Sequence, residues 1–146
     1  MKRLTLLLLF LLAGLSATAQ VDLADVVKRL DRNRIKASFT CTVQNDVAVE
    51  YKGSAVAEGK MFAVKVNGME AYCDGEKVVI IDPEAKEAYI EKASDLESYL
   101  KENMGNLSDL HFSELRFMDK SPDCSEFCFD TGKLDRSWVV TDLRQE

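Results

Sequence analysis

The chain has 146 residues, 30% of them charged, with 25 acidic against 19 basic side chains and a formal net charge of −6. An acidic surface of this kind argues against nucleic acid as a partner and against adhesion to anionic lipid head groups, both of which need clustered lysine and arginine. The length suits one domain around one core and is too short for two, and the sequence holds no internal repeat, low-complexity tract or long linker.

Residues 1–19 open with Lys2 and Arg3, run apolar from Leu4 to Leu15 apart from Thr5 and Gly14, and close on Ala17-Thr18-Ala19. That is the layout of a secretory signal peptide cleaved before Gln20. The run is shorter than the roughly 18 apolar residues a bilayer span requires, and no cysteine stands at the cleavage site to carry a lipid. The expectation is an exported, soluble mature chain, residues 20–146, forming one domain of 127 residues with 17 basic and 25 acidic side chains, a net charge of −8.

The next stretch, residues 21–33, has helical spacing. Asp22 is a fit N-cap, Asp25 follows three residues on, and Leu23, Val26, Val27 and Leu30 share one face. Ala37, Phe39, Cys41 and Val43 then alternate with polar residues, the period of a half-buried strand. Asn45-Asp46 turns the chain into a second strand, where Val49, Tyr51, Gly53 and Ala55 share a face. The small residues Gly53, Ala55 and Ala57 leave room there, either for a guest or for close packing.

Residues 51–92 form the centre of the design. Phe62, Val64 and Val66 alternate with Ala63 and Lys65, and Asn67-Gly68 and Asp74-Gly75 supply tight hairpin turns. Val78-Val79-Ile80-Ile81 is apolar on both faces and reads as a central, covered strand. Asp82-Pro83 punctuates it before Ala88-Tyr89-Ile90 returns. The residues therefore predict one antiparallel sheet built from sequential neighbours.

This stretch also carries a family resemblance. Lys60-Met61-Phe62 opening a strand, then Asp74-Gly75-Glu76-Lys77 before an apolar run and Asp82-Pro83, resembles the LolA-like periplasmic carriers of outer-membrane lipoproteins. Arg29-Leu30-Asp31 and Ala37-Ser38-Phe39-Thr40 match the same family in order and spacing. The match covers residues 23–91, roughly two thirds of the mature chain. It implies an α+β fold: a curved antiparallel β-sheet, or half-barrel, with an N-terminal helix and one or two lid helices. The chain departs from the family at Val79 and Ile81, where aromatic residues are common, and at Glu58-Gly59-Lys60, where the best-known carriers hold a lid-latching arginine. It also ends several strands sooner.

Beyond Lys92 the period changes. Ser94 with Glu97 makes a capping box for a helix carrying Leu96, Tyr99, Leu100 and Met104, ended by Gly105-Asn106. Leu107, Leu110 and Leu115 suggest a second, weaker helix. The resemblance makes these the lid. Ser121-Pro122-Asp123 is a turn, residues 126–130 and 137–141 read as a closing hairpin, and residues 142–146 as a terminal fray.

Cys41, Cys73, Cys124 and Cys128 are an even set, as disulfides in an exported chain would need, and four cysteines allow three connectivities. Cys124 with Cys128, close in sequence, and Cys41 with Cys73, both in strands, is the preferred pairing. The spacing lacks the C-x-x-C pairs of a zinc knuckle or dithiol enzyme, so no metal or other cofactor is expected. His111 is the only histidine, without a serine–aspartate context, and no carboxylate pair is spaced for acid–base work. The protein reads as a non-enzyme.

Two functions remain. In the first, an exported periplasmic carrier or binding protein holds a lipoprotein acyl chain or another apolar ligand, with membrane-associated release and acceptor proteins as the partners the resemblance implies. Its cavity would be lined by Phe39, Val43, Tyr51, Phe62, Val64, Val66, Val79, Ile81 and Tyr89, under Leu96, Leu100 and Met104 of the lid. In the second, the same scaffold has a filled core and serves as a non-enzymatic interaction or structural protein through an exposed sheet edge.

Overall fold

Strands can follow one another as antiparallel neighbours only where the intervening turns adopt the backbone that a tight reversal demands. Asn67 and Gly68 do so with φ of 46° and 83°, and the Asn67 side-chain oxygen accepts from the Lys52 N–H at 3.2 Å. Further on, the Asp74 carboxylate accepts from the N–H groups of Glu76 and Lys77 at 2.9 and 3.0 Å and folds the chain back again. Burial raises the Asp74 carboxyl, but those amides and the Lys77 charge outweigh it and hold it below the ordinary carboxylate range.

The computed structural model describes residues 28–44, 46–95 and 107–144. The strands β1 (Asn33–Gln44), β2 (Ala48–Glu58), β3 (Met61–Val66), β4 (Met69–Cys73), β5 (Lys77–Asp82) and β6 (Glu87–Lys92) each pair with the next in the chain. β7 (Leu107–Asp119) then pairs with β1 and β8 (Val139–Asp142) with β6, giving one open sheet in the order β7-β1-β2-β3-β4-β5-β6-β8. Every pair is antiparallel except β6–β8, which is parallel. The fold is α+β and mainly sheet, with helical turns at residues 28–30 and 93–95. The signal peptide expected at 1–19, the start of the first helix and the lid positions Leu96, Leu100 and Met104 lie outside the described residues.

Register sorts the side chains onto two faces. Ala55, Val64, Ala71 and Ile80 stand opposite one another from β2 to β5. With Phe39, Cys41, Val66, Cys73 and Val78 they belong to one apolar cluster on what we call the core face. The opposite face holds Val79, Ile81, Ala88 and Ile90, covered by Phe129, Leu134 and Trp138 from the segment between β7 and β8. This segment is a strap. It forms short 3-10 turns at Ser125–Phe127 and Thr131–Lys133, the second capped by the Asp130 carboxylate, which accepts from Gly132 N–H at 2.9 Å.

Two expectations are corrected here. Residues 107–115 are not helical, because β7 is a 13-residue strand running to Asp119. Its register on β1 shifts between Ser38 and Phe39 and again between Thr40 and Thr42. Extra residues at such bulges stretch an apolar spacing of two into three, as from Phe112 to Leu115, which imitates a helical pattern. The expected closing hairpin is also absent. Residues 126–130 turn inward so that Phe127 is fully buried and Phe129 stacks on Tyr72 with ring centroids 5.3 Å apart. β8 instead joins the free edge of β6, anchored by Val139 N–H to Lys86 O at 2.9 Å and Leu143 N–H to Ile90 O at 2.8 Å. Asp142, expected in a fray, ends β8, and its hydrogen bonds to Arg144 hold its carboxyl down at about 2.

Candidate functional site

Six of the side chains read as cavity lining do converge. Phe39, Val64 and Val66 are buried in the core-face cluster, and Tyr51, Phe62 and Tyr89 pack half-buried around it. They come together because β1, β2 and β3 pair with Phe39, Gly53 and Val66 in line, and Ala57 and Phe62 in line. Val43 occupies a register position opposite Val49 and Leu107, with its side chain outside the described set. Tyr89 donates its hydroxyl to Glu87 Oε2 at 2.6 Å, and that bond, with burial, raises its pKa.

Val79 and Ile81 do not belong with them. They lie on the strap face, each 2% exposed, beneath the Phe129, Leu134 and Trp138 side chains. Their places on the core face are taken by Val78 and Ile80, both wholly buried. Because β5 is apolar at every position from Val78 to Ile81, alternation within it carries no information on facing. The hairpin did carry it: Asp74-Gly75 closes Cys73 against Val78, and Cys73 stands opposite Phe62. Counting from that turn identifies Val78 and Ile80, and with them Ala71 and Cys73.

Gly53 makes room, but for its neighbours. A Cβ there would lie 2.4 Å from Lys65 O, 2.8 Å from Val66 Cγ2 and 3.0 Å from the Phe39 ring. The space left by the missing side chain is filled by the Phe39 ring and by Val66.

All four cysteines are free thiols. Cys41 pairs in register with Tyr51 on β2 and Cys73 with Phe62 on β3. Three strand-to-strand steps of about 4.8 Å separate them, beyond the roughly 7 Å that a disulfide tolerates between Cα atoms. The preferred Cys41–Cys73 pairing is therefore corrected. Burial pushes the Cys41 thiol up to about 12 and raises that of Cys73, partly offset by the N–H that Gly75 donates to its sulfur at 3.4 Å. Both are core residues rather than nucleophiles. Cys124 and Cys128 flank the 3-10 turn Ser125–Phe127, with Cys128 Sγ against Cys124 O at 3.6 Å. Among the described residues, no group of three His, Cys, Asp or Glu side chains is placed to hold a metal ion. His111 is exposed on β7.

Sequence reading missed the buried charges. Arg34, on the strap face of β1, is 6% exposed and Glu58 at the end of β2 is 5% exposed. The Arg34 guanidinium bonds Glu58 Oε2 at 3.2 Å, Glu126 Oε2 at 3.2 Å, Asp123 O at 2.8 Å and Ser121 O at 3.4 Å. It also lies 4.9 Å from the centroid of the Phe127 ring. Glu58 Oε1 accepts from Ser121 N–H at 3.2 Å. Glu58, noted in the sequence only for standing near where a latch arginine would be, thus helps Arg34 hold the strap. No local pattern signals this, since the partners are separated by 24 to 92 positions.

Beside this clamp the strap face opens into a hollow of about 330 Å³ over β7, β1, β2 and β3, walled by Lys36, Lys65, Arg116, Glu114 and Glu126. Among the described residues, none of the expected cavity residues lines it. No protein-family model matches the chain, and no curated protein matches it significantly.

Proposed function

We propose that this protein is an exported, periplasmic carrier or binding protein for an acyl chain or another apolar ligand, acting without covalent chemistry, on a half-barrel of the LolA-like kind. The observation that supports this most is the continuous apolar core face of an open sheet, from Phe39 on β1 to Ile80 on β5, rimmed by half-buried Tyr51, Phe62 and Tyr89. On this reading the segment with helical spacing at residues 94–104 would supply the lid, as the resemblance implies. Affinity would come from area, at roughly 0.8 kcal/mol per buried methylene, less the free energy of displacing the lid. Lipoprotein release and acceptor proteins at the membrane are then the partners.

A second reading, an interaction protein with a filled core, is favoured by one specific observation. Ala71, Val78 and Ile80 are already 0% exposed, and the space over Gly53 is occupied. Native mass spectrometry of the mature protein purified from its own compartment, with extraction of bound lipid, separates the two. A co-purifying acylated species that is lost when Phe62 and Leu100 are both replaced by glutamate is the expected result. A clean protein mass, with no uptake of a fluorescent fatty acid, would overturn the carrier reading and leave the filled core.

A further inference from the structure

The hollow on the strap face gathers like charges. Lys36 on β1 and Arg116 on β7 are directly opposed in the register, and both line the hollow. Like charges directly opposite on one sheet face repel. Lys36 finds partial relief in Glu126 Oε1 at 3.4 Å, but the other oxygen of that carboxylate is already bonded to Arg34 at 3.2 Å. Arg116 makes no ion pair among the described residues. Lys65, from β3, adds a third cation at the wall and is held by Glu70 at 3.3 Å. In a chain of net charge −6, three cations gathered at one hollow stand against the overall charge.

The floor fits the walls. Ser38 and Ser54 face each other across β1 and β2 and set two hydroxyls beside the cation pair. Val56 and Ala63, opposed across β2 and β3, are small enough to leave the space open. Glu114, opposite Ser38, is the one acidic wall without an ion-pair partner among the described residues. An acceptor there excludes a bare anion from that end and suits a ligand with hydroxyl or ammonium donors.

We infer that this hollow is a binding site for a small polar molecule carrying an oxyanion, phosphate or carboxylate, at the Lys36–Arg116 end and hydrogen-bond donors at the Glu114 end. Arg116 is the principal contact, because its planar fork of donors matches an oxyanion two bonds at a time. The site is on the opposite face of the sheet from the proposed acyl-chain surface and stands or falls separately from it.

The test uses the full mature chain and two probes: glycerol 3-phosphate, and alanine, whose carboxylate and ammonium would span Arg116 and Glu114. In 15N–1H spectra at matched ionic strength, at least one probe should give saturable shifts centred on Lys36, Ser38, Ser54 and Arg116. The probe that saturates tells a phosphate site from a carboxylate site. Arg116→Gln should weaken binding at least about tenfold, the loss of a charge-assisted pair, while leaving the melting temperature unchanged or higher because the repulsion is gone. A lower melting temperature would make the arginine a prop of the fold, and Lys36→Gln then provides the binding comparison. No saturable shift with either probe, shifts reproduced by sodium chloride, or binding undiminished in both variants would overturn the assignment.

Discussion

One residue along each strand separates two rows that cross the sheet in opposite chemical styles. On the core face the row Ala55, Val64, Ala71, Ile80 is apolar throughout. On the strap face the neighbouring row is Ser54, Lys65, Glu70, Ile81, polar over three strands and apolar at the fourth. The change at Ile81 coincides with the cover: Phe129, Leu134 and Trp138 lie over Val79, Ile81, Ala88 and Ile90, whereas β1 to β3 face the charged hollow. One face is thus organised by the sheet itself, through alternation carried across every pair. The other is organised by the strap, and Arg34, a buried cation on an otherwise apolar or solvated surface, marks where the strap is fixed.

The sharpest way to break this comparison is to remove the clamp. Arg34→Ala leaves Glu58 buried without its counter-charge and should cost about 3–5 kcal/mol, read as a lower urea midpoint. Replacing Arg34 and Glu58 together by methionine should restore much of that, since the pair's own desolvation disappears with it. A loss below about 1 kcal/mol for the alanine variant, the size of an exposed pair, would mean the aromatic residues hold the strap alone.

A smaller effect contrasts adjacent positions on β2. Gly53→Ala pushes a methyl into the Lys65 carbonyl and should cost about 1–3 kcal/mol, whereas Ser54→Ala, on the exposed side, should stay within about 0.5 kcal/mol. Equal effects at the two positions would show that the core face is not closely packed at Phe39.

The smallest concerns Glu91, opposite Val78 at the core-face margin. Burial, and then the charge of Asp95, raise its carboxyl above the ordinary glutamate value of 4.5. Ionisation is therefore harder in the folded chain than in the unfolded one. The penalty is absent below the unfolded value and grows as pH rises from there through the raised folded value. Glu91→Gln should stabilise the protein at neutral pH, and the gain should vanish in acid. Thermal melts of both proteins from pH 4 to pH 7 check the sign; a gain that persists unchanged in acid would remove ionisation as its cause.

Alternation and turn chemistry made most of the sheet legible. β1 to β6 follow from period-two runs between Asn67-Gly68, Asp74-Gly75 and Asp82-Pro83, because a half-buried strand and a tight reversal each impose local residue preferences. The apolar core face could be read for the same reason, except at β5, where four consecutive apolar residues erase the phase. Bulges erased it again in β7, where Phe112 and Leu115 are three apart yet share a face.

What the sequence determined by itself is therefore the order of the β1–β6 strands, their turns and the side of each alternating strand that is apolar, all of them short-range consequences of backbone geometry. Tertiary structure alone decided that β7 returns to β1, that β8 runs parallel to β6, and that Arg34 meets Glu58, Glu126 and the strap carbonyls. It also decided that Lys36 faces Arg116 across a hollow. Those pairings bring together residues tens of positions apart, and the energy that selects them, desolvation offset by charge and by aromatic burial, exists only once the strands have assembled.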